Sequence, residues 1–401
     1  MSGTVPEIDP ADPAVLHDPV DAYGTARERS ALARMPIPGF GALWLLTRHE
    51  DARAMLTDPR FEVNAGSFMR PPGIPEHCLQ YMRTMSEMDG PGHARLRRLV
   101  SPAFTPRRAA EFRPRIESIV EGLLDDLPAH AEDGVVDLLT HFARPLPIDL
   151  ICELVGIPEP ARPNWREYGA AVVGGFGPAF IAAVPAIIED AKAAVARRRA
   201  EPADDLVSDL LRVQAEDGDR LSDTELVTLV FHLVLAGQTP TNLIANGVEA
   251  LLTHPDQLAA LRADPGLAPR AVEELIRWCG PQLLATPRYA REDVEIDGVL
   301  IHKGEPVTAA IVSANRDPRA FPEADRLDIT RPAGAAHLGF SHGPHFCLGA
   351  SLARVETEVA LTALLRRYPG LTLAVAPEDL QRAPDGGTWR LAALPVRLGS
   401  E

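Results

Sequence analysis

Residues 340–349 read FSHGPHFCLG and place a single cysteine, Cys347, between two glycines. Gly343 permits a tight turn before the cysteine, and Gly349 lets another group approach the backbone closely after it. The apolar spacing that follows predicts a helix over Gly349–Tyr368, whose N-terminal amides and dipole would favour a thiolate at Cys347. Such a thiolate can serve as a nucleophile or as a metal ligand, and a buried structural cysteine is the third alternative.

A second decisive stretch is Leu221–Pro255, in which no residue between Glu225 and Glu249 carries a formal charge. Ser222 followed by Glu225 is a capping box, which predicts the start of a helix. A helix of about 30 residues would span roughly 45 Å, enough to cross a membrane. Its polar centre would be costly in hydrocarbon, which favours a buried core helix whose polar middle faces a cavity. The central polar residues include Gln238, Thr239, Thr241, Asn242 and Asn246.

Pro240 should distort this helix. It has no backbone N–H, so the carbonyl of Ala236 loses its usual donor. We therefore predict a widened turn over Gly237, Gln238 and Thr239.

A third feature is the segment Glu274–Leu–Ile–Arg277, which spaces an acid and a base for an ion pair on one helix face. Such pairs are usually solvated surface features. The apolar neighbours Val272, Leu275 and Ile276 instead favour a buried, structural pair here.

Composition and charge exclude several classes of protein. The 401 residues are 46% hydrophobic, as in a globular protein, and the net charge of −16 with few aromatics argues against nucleic-acid binding. The N-terminus has neither a basic region nor an apolar region, so no secretory signal is predicted. The four cysteines fit no zinc or redox spacing, which favours a reducing, cytoplasmic compartment.

The order of the predicted elements indicates a mainly α, α+β fold. The first three hundred residues or so are mostly helical in pattern, and short β-like runs follow Trp278. The principal predicted helices are 48–56, 92–100, 107–127, 136–155, 178–199, 204–214 and 349–368. The predicted strands are 41–47, 282–289, 294–296, 306–312 and 388–398.

Together these segments resemble the cytochrome P450 superfamily, the haem-thiolate monooxygenases. The resemblance extends from about Asp18 to Leu398 and includes the Glu274–Arg277 pair, a long oxygen-binding helix and a short Arg-rich helix at Gly90–Arg107. The family motif FxxGxHxCxG is complete at Phe340, Gly343, His345, Cys347 and Gly349. It implies a single P450 domain over residues 1–401, with a large helical region and a small β-sheet region around a buried haem.

The resemblance also implies the cofactor site, which would hold haem b (heme b, iron protoporphyrin IX). Cys347 would be the axial iron ligand, since a thiolate favours cleavage of the O–O bond. The buried haem carboxylates need cationic or donor partners. Those partners would be His93, Arg97, Arg288 and His345, while Ala236, Gly237, Phe340 and Gly349 would line the haem. Glu274 and Arg277 would be structural and networked with Arg331.

The chain departs from the family at the oxygen-binding helix. A gapless alignment through Asn242–Gly247 puts Thr239 at the usual alcohol position and Gln238 where an acid is usual. A second register would put Thr239 at the acid position and Pro240 at the alcohol position. We prefer the gapless register, which keeps the spacing from Thr239 to Glu274. Thr239 and Gln238 are then the predicted catalytic residues, with proton delivery through water rather than through a carboxylate.

The implied function is oxidation of a small organic substrate with O2 and two electrons delivered one at a time. C–H hydroxylation ranks first, in secondary metabolite biosynthesis. Aromatic coupling or another non-insertion oxidation, a peroxide-dependent peroxygenase and a non-catalytic haem module are the alternatives. The family also implies substrate contacts, which would be Phe68, Met85, Leu235, Leu284 and Trp389.

The resemblance further implies the partners of the chain. Soluble bacterial members without a membrane anchor take electrons from a ferredoxin and an NAD(P)H-dependent reductase, and a monomer is expected. Ferredoxins are acidic, so the face near the cysteine should be locally basic. Candidate arginines for that face are Arg95, Arg98, Arg107, Arg108, Arg354, Arg366 and Arg367.

Overall fold

The computed structural model describes residues 5–37, 41–68, 70–175, 177–216, 221–332, 334–383, 385 and 387–399. These residues fall into two compact units. The first unit takes the described residues of Met1–Phe68, Ala245–Cys347 and Leu371–Leu394. The second takes those of Met69–Ile244, Leu348–Gly370 and Pro395–Glu401. That the chain forms one domain over 1–401 stays a prediction.

Helices dominate the described residues. The helices are α1 Pro13–His17, α2 Pro19–Arg29, α3 His49–Met55, α4 Glu76–Met82, α5 Gly90–Val100, α6 Pro106–Asp126, α7 Pro145–Val155, α8 Arg162–Val173, α9 Pro178–Ala200, α10 Leu206–Glu216, α11 Asp223–Ala236, α12 Thr239–Thr253, α13 Pro255–Ala263, α14 Ala268–Cys279, α15 Ile311–Ala314 and α16 Ala350–Arg367. The strands are β1 Leu32–Ile37, β2 Gly41–Leu46, β3 Phe61–Glu62, β4 Val136–Asp137, β5 Arg288–Ala290, β6 Val294–Ile296, β7 Val299–Ile301, β8 Pro306–Ala309, β9 Thr372–Leu373 and β10 Pro395–Arg397. The predicted mainly α, α+β class is confirmed.

The first unit contains a mixed sheet in the order β1-β2-β8-β5-β3. Strands β1 and β2 pair antiparallel, and β2 pairs parallel with β8, with Trp44 opposite Val307. Strand β5 pairs antiparallel with β8 and carries Arg288 opposite Val307. Leu32 and Leu46 of this sheet and Ile301 of β7 belong to one buried apolar cluster of this unit. The sheet therefore fixes the position of Arg288.

The second unit is almost entirely helical. Its core contains Phe231 and Val234 of α11, with Ile148 and Ile151 of α7 and Trp165 of α8. The side chain of Thr105 accepts from the amide of Arg108 and caps α6, which packs along α16. The two short strands β4 and β10 pair antiparallel.

The long apolar helix begins at the predicted capping box, with Ser222 and Glu225 each accepting a hydrogen bond from the other's amide. It is interrupted as predicted: α11 ends at Ala236, and α12 begins at Thr239 after a turn. The stretch Asp223–Thr253 has the length and hydropathy of a membrane span, and 61% of its most apolar window is buried inside the protein. That burial matches a core helix.

Several predicted boundaries were wrong. The predicted helix 136–155 begins with strand β4 and one π-helical stretch, Leu139–Ala143, before α7. Of the predicted strand 282–289, only the C-terminal end forms a strand, in β5. Of the predicted strand 388–398, only the residues of β10 do so. Strand β1 was missed because Arg34 and Pro36 break its apolar pattern. A proline is tolerated there because β1 is an edge strand, where one missing donor is harmless.

Candidate active site

The cysteine loop is closed by its own backbone. The amide of Cys347 donates to the carbonyl of Phe340 at 2.8 Å, and the amide of Phe346 donates to the carbonyl of Gly343 at 3.0 Å. Gly343 has a φ of +74°, and a Cβ there would lie 2.7 Å from Cγ2 of Thr57. The predicted tight turn is confirmed, and it admits only glycine for both reasons.

Cys347 differs from the other three cysteines of the chain. Its thiol is exposed, while Cys78, Cys152 and Cys279 are buried. Burial raises the pKa of Cys152 and of Cys279 to about 12, so both stay neutral thiols. Exposure is a requirement for a thiol that binds a ligand or a metal, and Cys347 meets it.

Helix α16 begins at Ala350, directly after the cysteine loop, with Gly349 at its N-cap and no capping side chain. A Cβ placed on Gly349 would meet no other atom within 4 Å. The predicted helix is therefore confirmed, and the backbone at Gly349 borders open space. The free amides at such a helix start favour negative charge nearby, as a thiolate would supply.

The predicted carboxylate partners are divided between the two units. In the first, Arg288 is 4% exposed on β5, with Nη1 3.5 Å from the carbonyl of Met55, and His345 is half-buried in the 3₁₀ turn Gly343–His345. In the second, His93 is buried and Arg97 half-buried, one turn apart on α5. A buried arginine requires an anion or several acceptors to offset its desolvation.

The turn between α11 and α12 holds Thr239 in a defined position. The hydroxyl of Thr239 donates to the carbonyl of Ala236 at 3.0 Å. This carbonyl is the one that Pro240 leaves without a backbone donor. A Cβ on Gly237 would lie 2.5 Å from both Cδ1 of Ile151 and the Leu233 carbonyl oxygen, so its small size is required by packing against α7.

Gln238 is 3% exposed, and its side-chain oxygen and nitrogen have no hydrogen-bond partner among the described residues. A Cβ on Gly169 of α8 would lie 3.0 Å from the Gln238 Oε1, so this amide packs against α8. The hydroxyl of Thr241, also buried, has no partner in the described chain either. Buried amides of this kind normally bind ordered water when protein offers nothing.

The Glu274–Arg277 pair is buried, as predicted. Arg277 donates two parallel hydrogen bonds of 2.8 Å to Glu274, and both side chains are at most 3% exposed. Arg331 donates to the same carboxylate at 3.1 Å, which confirms the predicted network. Arg277 also donates to the carbonyls of Asn315 and Ala324. The pair therefore ties α14 to the segment that precedes the cysteine loop.

The predicted substrate residues lie in both units. Phe68, Leu284 and Trp389 are half-buried in the first, and Trp389 stacks on the Arg382 guanidinium 4.5 Å away. Met85 is buried and Leu235 half-buried in the second. Their contact with a substrate stays a prediction.

Sequence reasoning overlooked one polar pair in the second unit. Nε2 of His232 on α11 lies 3.2 Å from the hydroxyl oxygen of Ser86. Burial lowers the pKa of His232 to about 4, so its imidazole is neutral. The available signal was a lone histidine in an uncharged run, two helical turns before Thr239.

This donor set fits haem b. The group presents one iron position and two carboxylates to a protein, along with a large apolar ring. The first unit offers an exposed thiol at Cys347, the buried cation of Arg288 and an aromatic ring at Phe346 that is 38% exposed. A thiolate can ligate haem iron, a cation can pair with a haem carboxylate, and an aromatic ring can pack on the apolar ring system.

Known proteins match this chain over nearly its whole length. The profile of the family "Cytochrome P450" matches residues 266–388. The P450 monooxygenase PikC of Streptomyces venezuelae is 42% identical, covering 95% of this chain and 91% of its own. The 6-deoxyerythronolide B hydroxylase of Saccharopolyspora erythraea is 40% identical, with 94% and 95% covered.

Solved structures agree with the sequence matches. The bacillaene polyketide synthase P450 PksS of Bacillus subtilis superposes with a TM-score of 0.89 at 35% identity, over 98% of this chain and 99% of its own. The ligand-free P450 monooxygenase TamI gives a TM-score of 0.88 at 38% identity, covering 99% and 95%. The chain thus belongs to the cytochrome P450 family and is a haem-b-binding monooxygenase.

Proposed function

We propose that this enzyme hydroxylates a C–H bond of a small organic molecule in secondary metabolism, with Cys347 as the axial haem ligand. The observation that carries the assignment is the cysteine loop: one exposed thiol, held by the Cys347–Phe340 backbone bond, directly before the start of α16. The names of two relatives, a 6-deoxyerythronolide B hydroxylase and a mycinamicin IV hydroxylase/epoxidase, support hydroxylation as the first-ranked reaction.

Four residues would bind the haem carboxylates. Arg288 and His345 in the first unit, and His93 and Arg97 in the second, supply cationic or N–H donor groups at buried or half-buried positions. A buried carboxylate bound by several donors keeps its charge at modest cost, whereas an unpaired one does not. Ala236, Gly237, Phe340 and Gly349 would line the ring.

Thr239 and Gln238 would order the water that delivers protons. When bound, haem activates O2 with two electrons, and protons must reach the oxygen. The Thr239 hydroxyl is held by the Ala236 carbonyl at 3.0 Å, so its oxygen lone pairs remain available to accept from water. The buried amide of Gln238 can order a water through both its oxygen and its nitrogen. The chain thus delivers protons through water and needs no carboxylate on this helix.

Electrons would come from a ferredoxin and an NAD(P)H-dependent reductase. Most candidate arginines of the second unit are already matched by acids: Arg95 with Glu225, Arg107 and Arg108 with Glu111, Arg366 with Glu121 and Arg367 with Asp125. Arg98 is exposed and makes no ion pair with the residues that the structure describes. It is therefore the first choice for contact with an acidic partner.

Turnover in two electron-supply regimes tests the proposal. A substrate library is first screened for a haem absorption change, and hits are then incubated with a surrogate ferredoxin, its reductase and NADPH, or with hydrogen peroxide alone. We expect hydroxylated product in the first regime. Product from peroxide alone would favour a peroxygenase. A coupled or desaturated product would show that the reaction is not hydroxylation.

Arg98→Glu should weaken the apparent affinity for ferredoxin. Arg107→Glu should change that affinity less, because Arg107 is already matched by Glu111. We propose that the enzyme acts in the cytoplasm as a monomer.

A further inference from the structure

One face of α11 leads toward Thr239 and is not sealed by packing. His232, Leu235 and Ala236 are spaced i, i+3 and i+4, so they share a face of α11, and Thr239 follows after the turn that ends this helix. Ala236 is exposed and the other three are half-buried, while Phe231 on the flank is fully buried. The described protein therefore leaves part of this stripe uncovered, with His232 and Leu235 beyond the position of Ala236, which would line the haem ring.

The polar end of the stripe is the His232–Ser86 pair. Ser86 belongs to the 3₁₀ turn Met85–Glu87, and its hydroxyl oxygen lies 3.2 Å from Nε2 of His232. The surrounding side chains are apolar, with Met82, Met85 and Val234 buried in the same cluster. Nδ1 of His232 has no hydrogen-bond partner among the described residues, so one ring nitrogen is unused. An unused polar atom on an accessible apolar wall is a site for a polar atom of a ligand.

The histidine of this pair is neutral, and the acid that follows Ser86 in the chain is matched by an arginine. Burial is the only cause that lowers the pKa of His232, so the ring stays neutral at physiological pH. Glu87, the neighbour of Ser86 in the chain, is 8% exposed and forms an ion pair with Arg70 at 2.5 Å. That acid is satisfied within the protein. A carboxylate or ammonium group of a substrate would lose its hydration here without gaining a counter-ion.

We propose that His232 and Ser86 form a substrate anchor that binds a hydroxyl or carbonyl oxygen of a neutral, mainly apolar molecule. The inference rests on the proposed function, which puts the oxidation chemistry at Thr239. His232 and Thr239 are seven residues apart across the end of α11, a separation of roughly 10 Å at the helical rise of about 1.5 Å per residue. The substrate is therefore long enough to bridge that distance between its anchored oxygen and the carbon that is oxidised.

The imidazole can serve both kinds of oxygen. If the Ser86 hydroxyl donates to Nε2, Nδ1 carries the proton and donates to a substrate carbonyl. If Nε2 carries the proton, Nδ1 accepts from a substrate hydroxyl. Both tautomers leave the ring neutral, so the same pair accepts ketones and alcohols and discriminates against acids and amines.

Equilibrium dialysis of haem-loaded protein with four labelled ten-carbon probes tests the anchor. The probes are 2-decanone, 1-decanol, decane and decanoate. We expect the ketone and the alcohol to bind more tightly than decane and decanoate. His232→Leu should weaken the ketone and the alcohol by about fivefold to tenfold, the range that one neutral hydrogen bond supplies, and leave decane unchanged. His232→Asn should restore part of the affinity, and Ser86→Ala should cause a smaller loss.

Three results would overturn the anchor. Decanoate could bind most tightly, the ketone and alcohol could bind no better than decane, or His232→Leu could weaken decane as much as the ketone. The last result would mean that the pair only holds the Ser86 turn in place. His254→Leu, a half-buried histidine of the first unit, is the control and should change no affinity. Should His232→Leu not fold, Ser86→Ala gives the same comparison in a loop.

Failure of the anchor is distinguishable from failure of the proposed function. Dialysis needs no electrons or oxygen, so the expected binding pattern without any hydroxylated product would refute only the proposed hydroxylation. Product formation, together with probe affinities that are unchanged in the His232 and Ser86 variants, would refute only the anchor.

Discussion

The hydroxyl of Thr239 donates a hydrogen bond to the carbonyl oxygen of Ala236 across the turn between α11 and α12, at 3.0 Å. In a regular helix, that carbonyl would accept from the backbone amide of residue 240, but residue 240 is a proline. The helix break and the position of the threonine thus have one cause. The carbonyl was predicted to lose its usual donor, and the Thr239 hydroxyl occupies part of the capacity that this leaves.

The first prediction is that Thr239→Ala uncouples the enzyme. Without a hydroxyl, water near the oxygen site loses its fixed partner, so product per NADPH should fall several-fold while released peroxide rises. Thr239→Ser keeps the hydroxyl and should retain most coupling. Both quantities are measured with the surrogate ferredoxin system. Wild-type coupling in Thr239→Ala would remove this residue from the proton path.

Gln238→Leu should lower coupling without lowering stability. The amide of Gln238 is buried and unpaired by protein, so exchange for an apolar side chain of similar size is neutral or stabilising for the fold. The leucine cannot bind the ordered water that we propose the Gln238 amide holds. Thermal unfolding and product per NADPH are compared. Thr241→Val is the matched control, because it removes a buried hydroxyl that also has no partner among the described residues. We expect it to leave coupling unchanged. Equal coupling in Gln238→Leu and wild type would mean that the water comes from elsewhere.

Replacement of Cys347 by serine should abolish the red-shifted absorption of the reduced, CO-bound protein. That band reports a thiolate on the haem iron, and Cys347 is the exposed cysteine of the chain. Alanine at Cys78, Cys152 or Cys279 should leave it intact, since those thiols are buried and neutral. A wild-type spectrum typical of a histidine ligand would contradict the assignment.

Glu274→Ala should cost about 3–5 kcal/mol of unfolding free energy, because it leaves the buried charge of Arg277 without its partner. Arg331 loses the same acceptor. The expected result is a poor yield of haem-loaded protein, measured by haem absorbance per protein and by chemical unfolding. Arg326→Ala, which breaks an ion pair exposed on both sides, is the control and should cost less than about 1 kcal/mol. A stable, haem-replete Glu274→Ala would show that the network is dispensable.

Glu356 on α16 makes stability depend on pH. Burial raises the pKa of its carboxyl from 4.5 to about 8. Between these values the unfolded chain loses the proton and the folded chain keeps it, so the folded state weakens as pH rises, by about 1.4 kcal/mol per unit. Glu356→Gln should remove this slope and be the more stable protein near pH 7.5. Unfolding of both proteins at pH 5 to 8 measures the difference, and parallel profiles would contradict the burial effect.

The sequence was most informative where local chemistry determines structure. The Gly343 turn, the start of α16 and the break at Pro240 each follow from one residue's backbone freedom or missing donor. The buried Glu274–Arg277 pair was predicted because its neighbours are apolar. Strand β1 could not be predicted, since pairing with β2 at a sheet edge, rather than an apolar pattern, makes it a strand.

The candidate site was foreseen as a set of motif residues, but their surroundings were not. The side chain of Gln238 packs against α8, which is distant in the sequence. The partner of His232 is Ser86, which lies 146 residues before the histidine. Such pairings arise from packing between distant helices. A lone histidine in an apolar run carries no sign of its partner.

The contact of Gly237 with Ile151 bears on how this enzyme could diversify. Any larger residue at 237 would have to displace both a neighbouring side chain and a carbonyl of its own helix. Residues 232 and 235 are only half-buried and have no such contact with the helix backbone. Natural drift and laboratory libraries should therefore explore new substrates through these two positions, while Gly237 stays invariant and keeps the oxygen-handling turn intact. The same helix thus contains a position that packing constrains, next to the oxidation chemistry, and positions that can vary and change substrate selectivity.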